Sequence, residues 1–242
     1  MQLTLFCFVC LLPGHLALPL SQEAGDVSAH QWEQAQNYLR KFYPHDSKTK
    51  KVNSLVDNLK EMQKFFGLPM TGKLSPYIME IMQKPRCGVP DVAEYSLMPN
   101  SPKWHSRIVT YREAHFSSFW WRQQNPFPEN ANTEFHTHTV LRSFNHGDSF
   151  PFDGPGNTLG HAFAPGPGLG GDAHFDKDEY WTDGEDAGVN FLFAATHEFG
   201  HSLGLSHSSV PGTVMYPTYQ RDYSEDFSLT KDDIAGIQKL YG

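Results

Sequence analysis

"HEFGHSLGLSH", residues 197–207, decides how the rest of the chain is read. His197 and His201 are four apart, so a helix stacks them on one face about 6 Å from each other. Two imidazoles so placed can hold one Zn²⁺ at about 2.0–2.1 Å each. Glu198 lies beside them, within reach of a water on that metal. Gly204 tolerates positive φ, so the helix can end there and the chain can turn back to deliver His207 as a third ligand. Three neutral imidazoles leave the fourth position open, where a water can fall to a pKa of about 7 and become a nucleophile. Histidines on a helix surface are the alternative, and the glycine and third histidine at these offsets speak against it.

Working outward, "VMYPTY" supplies Met215 in a tight turn eight residues beyond His207. By itself such a methionine is ordinary core. On the other side, "MQKPRCGVPD", residues 82–91, carries a cysteine that needs explaining. The chain has three cysteines, and Cys7 and Cys10 fall in "MQLTLFCFVCLLPGHLA", whose short apolar run reads as a secretory signal peptide over residues 1–17. Cys87 is then an unpaired thiol in a secreted protein, which oxidising compartments disfavour. A thiolate is a good zinc ligand at about 2.3 Å. If Cys87 fills the fourth position, water is excluded and the site is silent until that segment is cut away.

Nothing after the leader approaches the length of a membrane span. Charge divides unevenly: residues 18–94 are net +1, and residues 95–242 are net −9. That acidity argues against a nucleic-acid partner, which basic contacts would have to hold. Three segments show helical spacing: "SAHQWEQAQNYLRKFY" with Trp32, Ala35, Tyr38, Leu39 and Phe42 on one face, "SLVDNLKEMQKFFGL", and "SPYIMEIMQK". They form a small three-helix module that ends in a proline-rich, extended stretch. Beyond it "SRIVTYR" reads as a strand, "NFLFAATHEFGHSLGLSH" as a helix stopping at Gly204, and "SLTKDDIAGIQKLYG" as a closing helix with an N-terminal Ser.

The stretch 146–181 packs three histidines and six carboxylates among eight glycines. His146, Asp148, His161 and His174 can complete a closed four-ligand zinc site, which has no open position and is structural. Asp153, the carbonyls of Gly154, Gly156 and Thr158, Asp176 and Glu179 make an all-oxygen set suited to Ca²⁺. Metal would then neutralise much of the negative charge.

"PRCGVPD" together with "HEFGHSLGLSH" resembles the matrix metalloproteinases, a metzincin family whose zymogens are held by such a cysteine. The resemblance implies an α+β fold: a metzincin-type catalytic domain, with a twisted mixed sheet, an active-site helix and a C-terminal helix, behind a small three-helix prodomain. It implies a propeptide over 18–94, a catalytic domain over 95–242, and activation between Glu94 and Tyr95. The new Tyr95 ammonium would dock near Asp232 or Asp233, and Arg86 would pair with a carboxylate. Met215 would underlie the metal. The family pattern assigns the zinc and calcium sets above the same roles, and Gly168, Gly170 and Asp172 to a second calcium, whose remaining family ligand is replaced here by His136.

The implied activity is hydrolysis of extracellular-matrix and other secreted proteins. Substrate would lie antiparallel to an edge strand around Leu159 and Gly160, with Glu198 shuttling the proton. Phe193 would floor the specificity pocket and Pro217 and Tyr219 would wall it, favouring a Leu-sized side chain after the cut. Expected partners are an activating protease and tissue inhibitors of metalloproteinases, with the chain a monomer. Gly160 stands where the family usually has Ala.

Residues 113–141 depart from the family. "EAHFSSFWWRQQNPFPENANTEFHTHTVL" is shorter than the helix and two strands expected there, and shows neither period; the match resumes at Arg142. His115, His136 and His138 could form an extra metal site. A competing reading is therefore an incompetent or misfolded isoform that keeps the metal motifs. A His-rich metal-binding protein is a third, weakened because six of thirteen histidines fall in two ordered sets.

Overall fold

The computed structural model describes residues 27–44, 54–91, 100–105, 110–114, 136–142, 146–182, 187–219 and 228–242. The leader, the Glu94–Tyr95 junction and the centre of the 113–141 segment lie outside these.

Three short helices come first: α1 (Ala29–Phe42), α2 (Leu55–Phe65) and α3 (Pro76–Met82). Each starts on a serine whose hydroxyl accepts a backbone N–H of the first turn, from Ser28, Ser54 and Ser75. Such caps are worth about 0.5–2 kcal/mol each. Their apolar faces meet in one core built on Ala35, Leu39, Phe42, Leu59, Met62, Ile78 and Met82. Trp32, expected on that face, is exposed instead, because it precedes the part of α1 that the other helices cover.

The rest is a five-stranded sheet with two helices. Its strands are β1 (Arg86–Cys87), β2 (Thr110–Ala114), β3 (His136–Arg142), β4 (Thr158–Ala162) and β5 (Ala173–Asp176), in the spatial order β1-β4-β5-β3-β2. All neighbours are parallel except β4 with β5. β6 (Trp181–Thr182) and β7 (Val189–Asn190) form a separate parallel pair leading into α4 (Phe191–Ser202). Phe175, Ala173 and Leu159 of the sheet pack on Ala194 and Ala195 of α4.

Two local expectations shift. The atypical segment, which shows neither period in sequence, ends in a strand, β3, that begins at His136 and is in register with both neighbours. No apolar/polar alternation shows in "HTHTVL" because its first four residues are all polar, and its register comes from pairing with β2 and β5. The last helix, α5 (Lys231–Tyr241), takes Thr230 as its cap in place of Ser228, with Asp233 completing a capping box.

One topological fact matters most for function. The edge of the sheet at β4 is covered by β1, which comes from the N-terminal segment and not from the body of the sheet.

Candidate active site and metal clusters

α4 ends where the sequence predicts. Gly204 has φ +104°, and a Cβ there would meet Pro102 O at 2.2 Å, so no other residue makes this turn without displacement. His197, His201 and His207 are all buried, and Cys87 faces them across the cleft. One ligand atom from each of the four lies within 4.8 Å of the others. His197 Nε2 and His207 Nε2 are 3.2 Å apart.

The outer ring nitrogens are tied down. His197 Nδ1 donates to Val214 O at 2.6 Å and His201 Nδ1 to Leu205 O at 2.8 Å. A carbonyl can only accept, so each Nδ1 bears the hydrogen and each Nε2 turns a lone pair inward. Burial, followed by the neighbouring His207, pushes His197 down to about 3 and His201 well below the usual histidine range. Neutral imidazoles are the form that binds metal. His201 Nε2 and Glu198 Oε2 are buried with no protein partner. Buried polar atoms are normally satisfied, so inward-facing orphans beside a thiol and two more imidazoles fit a divalent metal.

Glu198 is 3% exposed, and burial lifts its carboxyl to about 8, with the Cys87 thiol beside it pulling slightly the other way. Burial and that same carboxylate push the Cys87 thiol up, against the Val89 amide, which donates to Sγ at 3.4 Å. Met215 is buried against α4, where a Cβ on Gly200 would fall 2.3 Å from its sulfur. Its turn is anchored by Asp233, which accepts Val214 N and Met215 N at 3.2 Å each. The capping acid of α5 thus holds the loop whose carbonyl orients His197. Asp233 also accepts from Thr230, while Asp232 accepts Ser208 Oγ at 2.7 Å.

The N-terminal segment lies in the cleft as a strand bonded on both sides. Arg86 N donates to Asn157 O at 2.6 Å and Gly88 N to Gly160 O at 2.7 Å, while Cys87 N reaches Pro217 O at 3.0 Å and Tyr219 N reaches Pro85 O at 2.7 Å. It runs parallel to β4 and antiparallel to Thr218. Arg86 finds its carboxylate in Asp91 at 2.5 Å, both side chains within 1% of full burial. Beside the strand a small cavity of about 20 Å³ is lined by Leu159, Phe193, Pro217 and Tyr219, with the Phe193 and Tyr219 rings edge to face at 5.9 Å.

The second cluster also forms. His146 Nε2, His161 Nε2 and His174 Nδ1 converge on Asp148 Oδ2 at 2.8, 2.7 and 2.7 Å. Burial would raise Asp148, but the Phe150 amide and the His161 and His174 bonds override it and hold the carboxyl below its ordinary value. Nearby, Glu179 accepts Gly156 N at 2.6 Å and Asp153 accepts Thr158 N at 3.1 Å. Burial, then the charges of Asp176 and Asp153 against the Gly156 bond, lifts Glu179 to about 7. Asp176 Oδ2 is buried without a partner. Carboxylates that raise one another this way fit a cation. Gly168, Gly170 and Asp172 lie in the turn before β5, where Asp172 N donates to Leu169 O at 3.0 Å. The backbone of His136 is on β3, away from that turn in sequence, and its side chain is outside the description.

Residues 91–242 match the peptidase family described as "Matrixin". The chain belongs to the matrixin family. It is a metalloendopeptidase, and the family implies zinc. Residues 28–82, the three-helix module, match the family described as "Putative peptidoglycan binding domain". The chain is 83% identical to mouse matrilysin and 59% identical to human matrilysin, each over 260 aligned residues covering 100% of this chain and 98% and 97% of those proteins. It is 44% identical to human matrix metalloproteinase-20 over 232 residues, 86% of this chain and 48% of that protein. The aligned length of 260 against a chain of 242 means that the matrilysins carry at least 18 positions this matrixin lacks.

Sequence reasoning missed one participant. Asp91 accepts His207 Nδ1 at 2.8 Å as well as Arg86. The only signal was its place four residues after Cys87, since the contact joins residues 116 apart.

Proposed function

We propose that this metalloendopeptidase is a secreted zymogen, with a leader over 1–17, a propeptide over 18–94 and a catalytic domain over 95–242. Cys87 is the switch, His197, His201 and His207 are the zinc ligands, and Glu198 is the catalytic acid–base. The observation carrying this is the convergence of four ligand atoms from these residues to within 4.8 Å, with the Glu198 carboxyl buried at their side. Zinc there supplies Lewis acidity, polarising the scissile carbonyl and lowering the pKa of water.

On this reading one cleft serves both latency and substrate binding. β1 caps the β4 edge but runs parallel to it, the reverse of the antiparallel direction proposed for substrate. When cleavage at Glu94–Tyr95 releases the segment, the amides and carbonyls of Leu159, Gly160, Pro217 and Tyr219 are free to hold an extended peptide. The side chain after the cut enters over Phe193, whose bulk limits depth and favours Leu. Glu198 takes a proton from the water that attacks the peptide carbonyl and hands it to the leaving nitrogen. Asp233 is already committed to the Met215 turn, so Asp232 is the acid for the Tyr95 ammonium.

His146, Asp148, His161 and His174 hold a structural zinc. Asp153, Gly154, Gly156, Thr158, Asp176 and Glu179 hold calcium, and Gly168, Gly170 and Asp172 a second. Substrates are extracellular-matrix and secreted proteins, in keeping with the name of a relative, matrix metalloproteinase-20. Among the described residues no helix is long and apolar enough to cross a membrane. Tissue inhibitors of metalloproteinases would bind the opened cleft of the monomer.

The test is to treat residues 18–242 with an organomercurial and follow a quenched peptide bearing Leu after the scissile bond, with Glu198→Ala as control. Activity that appears as the N-terminal segment is lost, and is absent in the control, supports the zymogen. Silence with zinc absent favours the second reading, an incompetent isoform, for which the missing positions relative to the matrilysins are the supporting observation.

A further inference from the structure

The three histidines of the cleft differ in what holds their far side. His197 and His201 lean on Val214 O and Leu205 O, carbonyls of the chain that follows α4. His207 leans on a carboxylate from the segment that carries Cys87, donating from Nδ1 to Asp91 Oδ1 at 2.8 Å. Asp91 is itself gripped on every side. Its Oδ1 also takes Arg86 at 2.5 Å, and its Oδ2 takes the Tyr43 hydroxyl at 2.5 Å. The Arg86 guanidinium lies 3.6 Å from the Phe42 ring centroid, so the carboxylate is fixed by the α1 end of the prodomain core.

Outer partners fix the tautomer, orientation and basicity of a metal-binding imidazole, and losing one typically costs 10–100-fold in affinity. A carboxylate makes a charge-assisted bond about twice as strong as a carbonyl's. We propose that Asp91 is a positioning residue of the metal centre: the N-terminal segment holds zinc through His207 as well as through Cys87, and its departure loosens the metal. This rests on reading His197, His201 and His207 as the zinc site. Activation then has a second consequence besides opening a coordination position, because it strips one of three histidines of its anchor and leaves the working enzyme more easily depleted of metal than its zymogen.

The competing explanation is that Asp91 serves Arg86 alone. Two variants separate these in the full chain carrying Glu198→Ala, so that it cannot process itself. Arg86→Gln breaks the ion pair and leaves the carboxylate on His207, whereas Asp91→Asn breaks the pair and removes the charge from His207. Each is loaded with zinc and mixed with excess chelator, and release is followed for the equivalent that a His201→Ala chain lacks. The expected result is release at least tenfold faster from Asp91→Asn than from Arg86→Gln. Equal rates overturn the proposal.

Should Asp91→Asn not fold, ring-proton NMR of the zinc-loaded Cys87→Ala, Glu198→Ala chain decides without it. When an added protease removes the segment, the His207 Nδ1–H signal should move while those of His197 and His201 stay. A stationary His207 signal, or three that move alike, overturns the proposal. A chain binding no zinc that depends on His201 overturns the site reading itself, and is told apart from both results by metal content alone.

Discussion

The two histidine clusters use nearly the same atoms and differ in where the fourth ligand comes from. In the second cluster Asp148 is two residues from His146 and belongs to the same loop, and its three imidazole contacts span only 2.7 to 2.8 Å. In the first, the fourth ligand atom is the thiol of Cys87, far from the histidines in sequence and on a strand hydrogen-bonded to β4 and to residues 217–219. A fourth ligand that cannot leave makes a structural site, and one that can be cut away makes a controllable catalytic one. On the proposed reading the clusters share three imidazoles and differ in the fourth donor, a thiol that proteolysis can release against a carboxylate that stays.

The largest effect that would break this contrast is at Glu198. Glu198→Ala in the activated enzyme should lower kcat/KM by about 10²–10⁴, the usual worth of a positioned acid–base, with zinc content unchanged. Loss of zinc along with activity would mean that the residue is structural. Next comes the second cluster. His174→Ala leaves Asp148 in a buried site without one of its three partners, and breaking such a pair costs on the order of 3–5 kcal/mol. Calorimetry should show a lower Tm and metal analysis one equivalent fewer, whereas a stable variant with full metal would remove the distinction.

Cys87→Ala sharpens the comparison from the other side. The intact chain should cleave peptide without an organomercurial while both zinc equivalents remain, and a latent Cys87→Ala chain would show that covering the cleft suffices. Phe193→Ala should deepen the pocket and shift the ratio of kcat/KM for a long linear side chain over Leu by about tenfold, since a methylene in such a pocket is worth about 1–3 kcal/mol. The smallest effect is at Gly160, which lies between the clusters. An added Cβ would sit 3.0 Å from His174 O and 3.3 Å from Glu198 Oε1. Gly160→Ala, which restores the residue usual in the family, should therefore change kcat at most a few-fold, since the Glu198 carboxylate need give only a few tenths of an ångström.

How much of this was legible depends on the range of the interaction. His197, Glu198, His201 and Gly204 follow from helix geometry within eight residues, and His207 from the turn that Gly204 permits. Cys87 was found by cysteine arithmetic, which needs no structure. The helices α1 to α3 were legible from their local spacing. Thr230 in place of Ser228 was not, because two candidate caps within one turn are separated only by which one lets Asp233 reach both Thr230 and the Met215 turn. Trp32 was assigned to a core that does not extend to it. The start of β3 at His136 was hidden because its register is set by β2 and β5 rather than by its own sequence. Asp91 was invisible as a partner of His207 since nothing local links them. The direction of β1 was not legible, because it is set by pairing with β4 and Thr218, both far from Cys87 in sequence.

The central claim is that Cys87 Sγ and three imidazoles share one zinc in the intact chain. X-ray absorption at the zinc edge tests it directly, before and after the N-terminal segment is removed. A sulfur scatterer at about 2.3 Å in the intact protein, gone after cleavage while the nitrogen shell persists, is the result predicted. An all-nitrogen-and-oxygen shell in the intact protein, or sulfur that stays when the segment is gone, would contradict it.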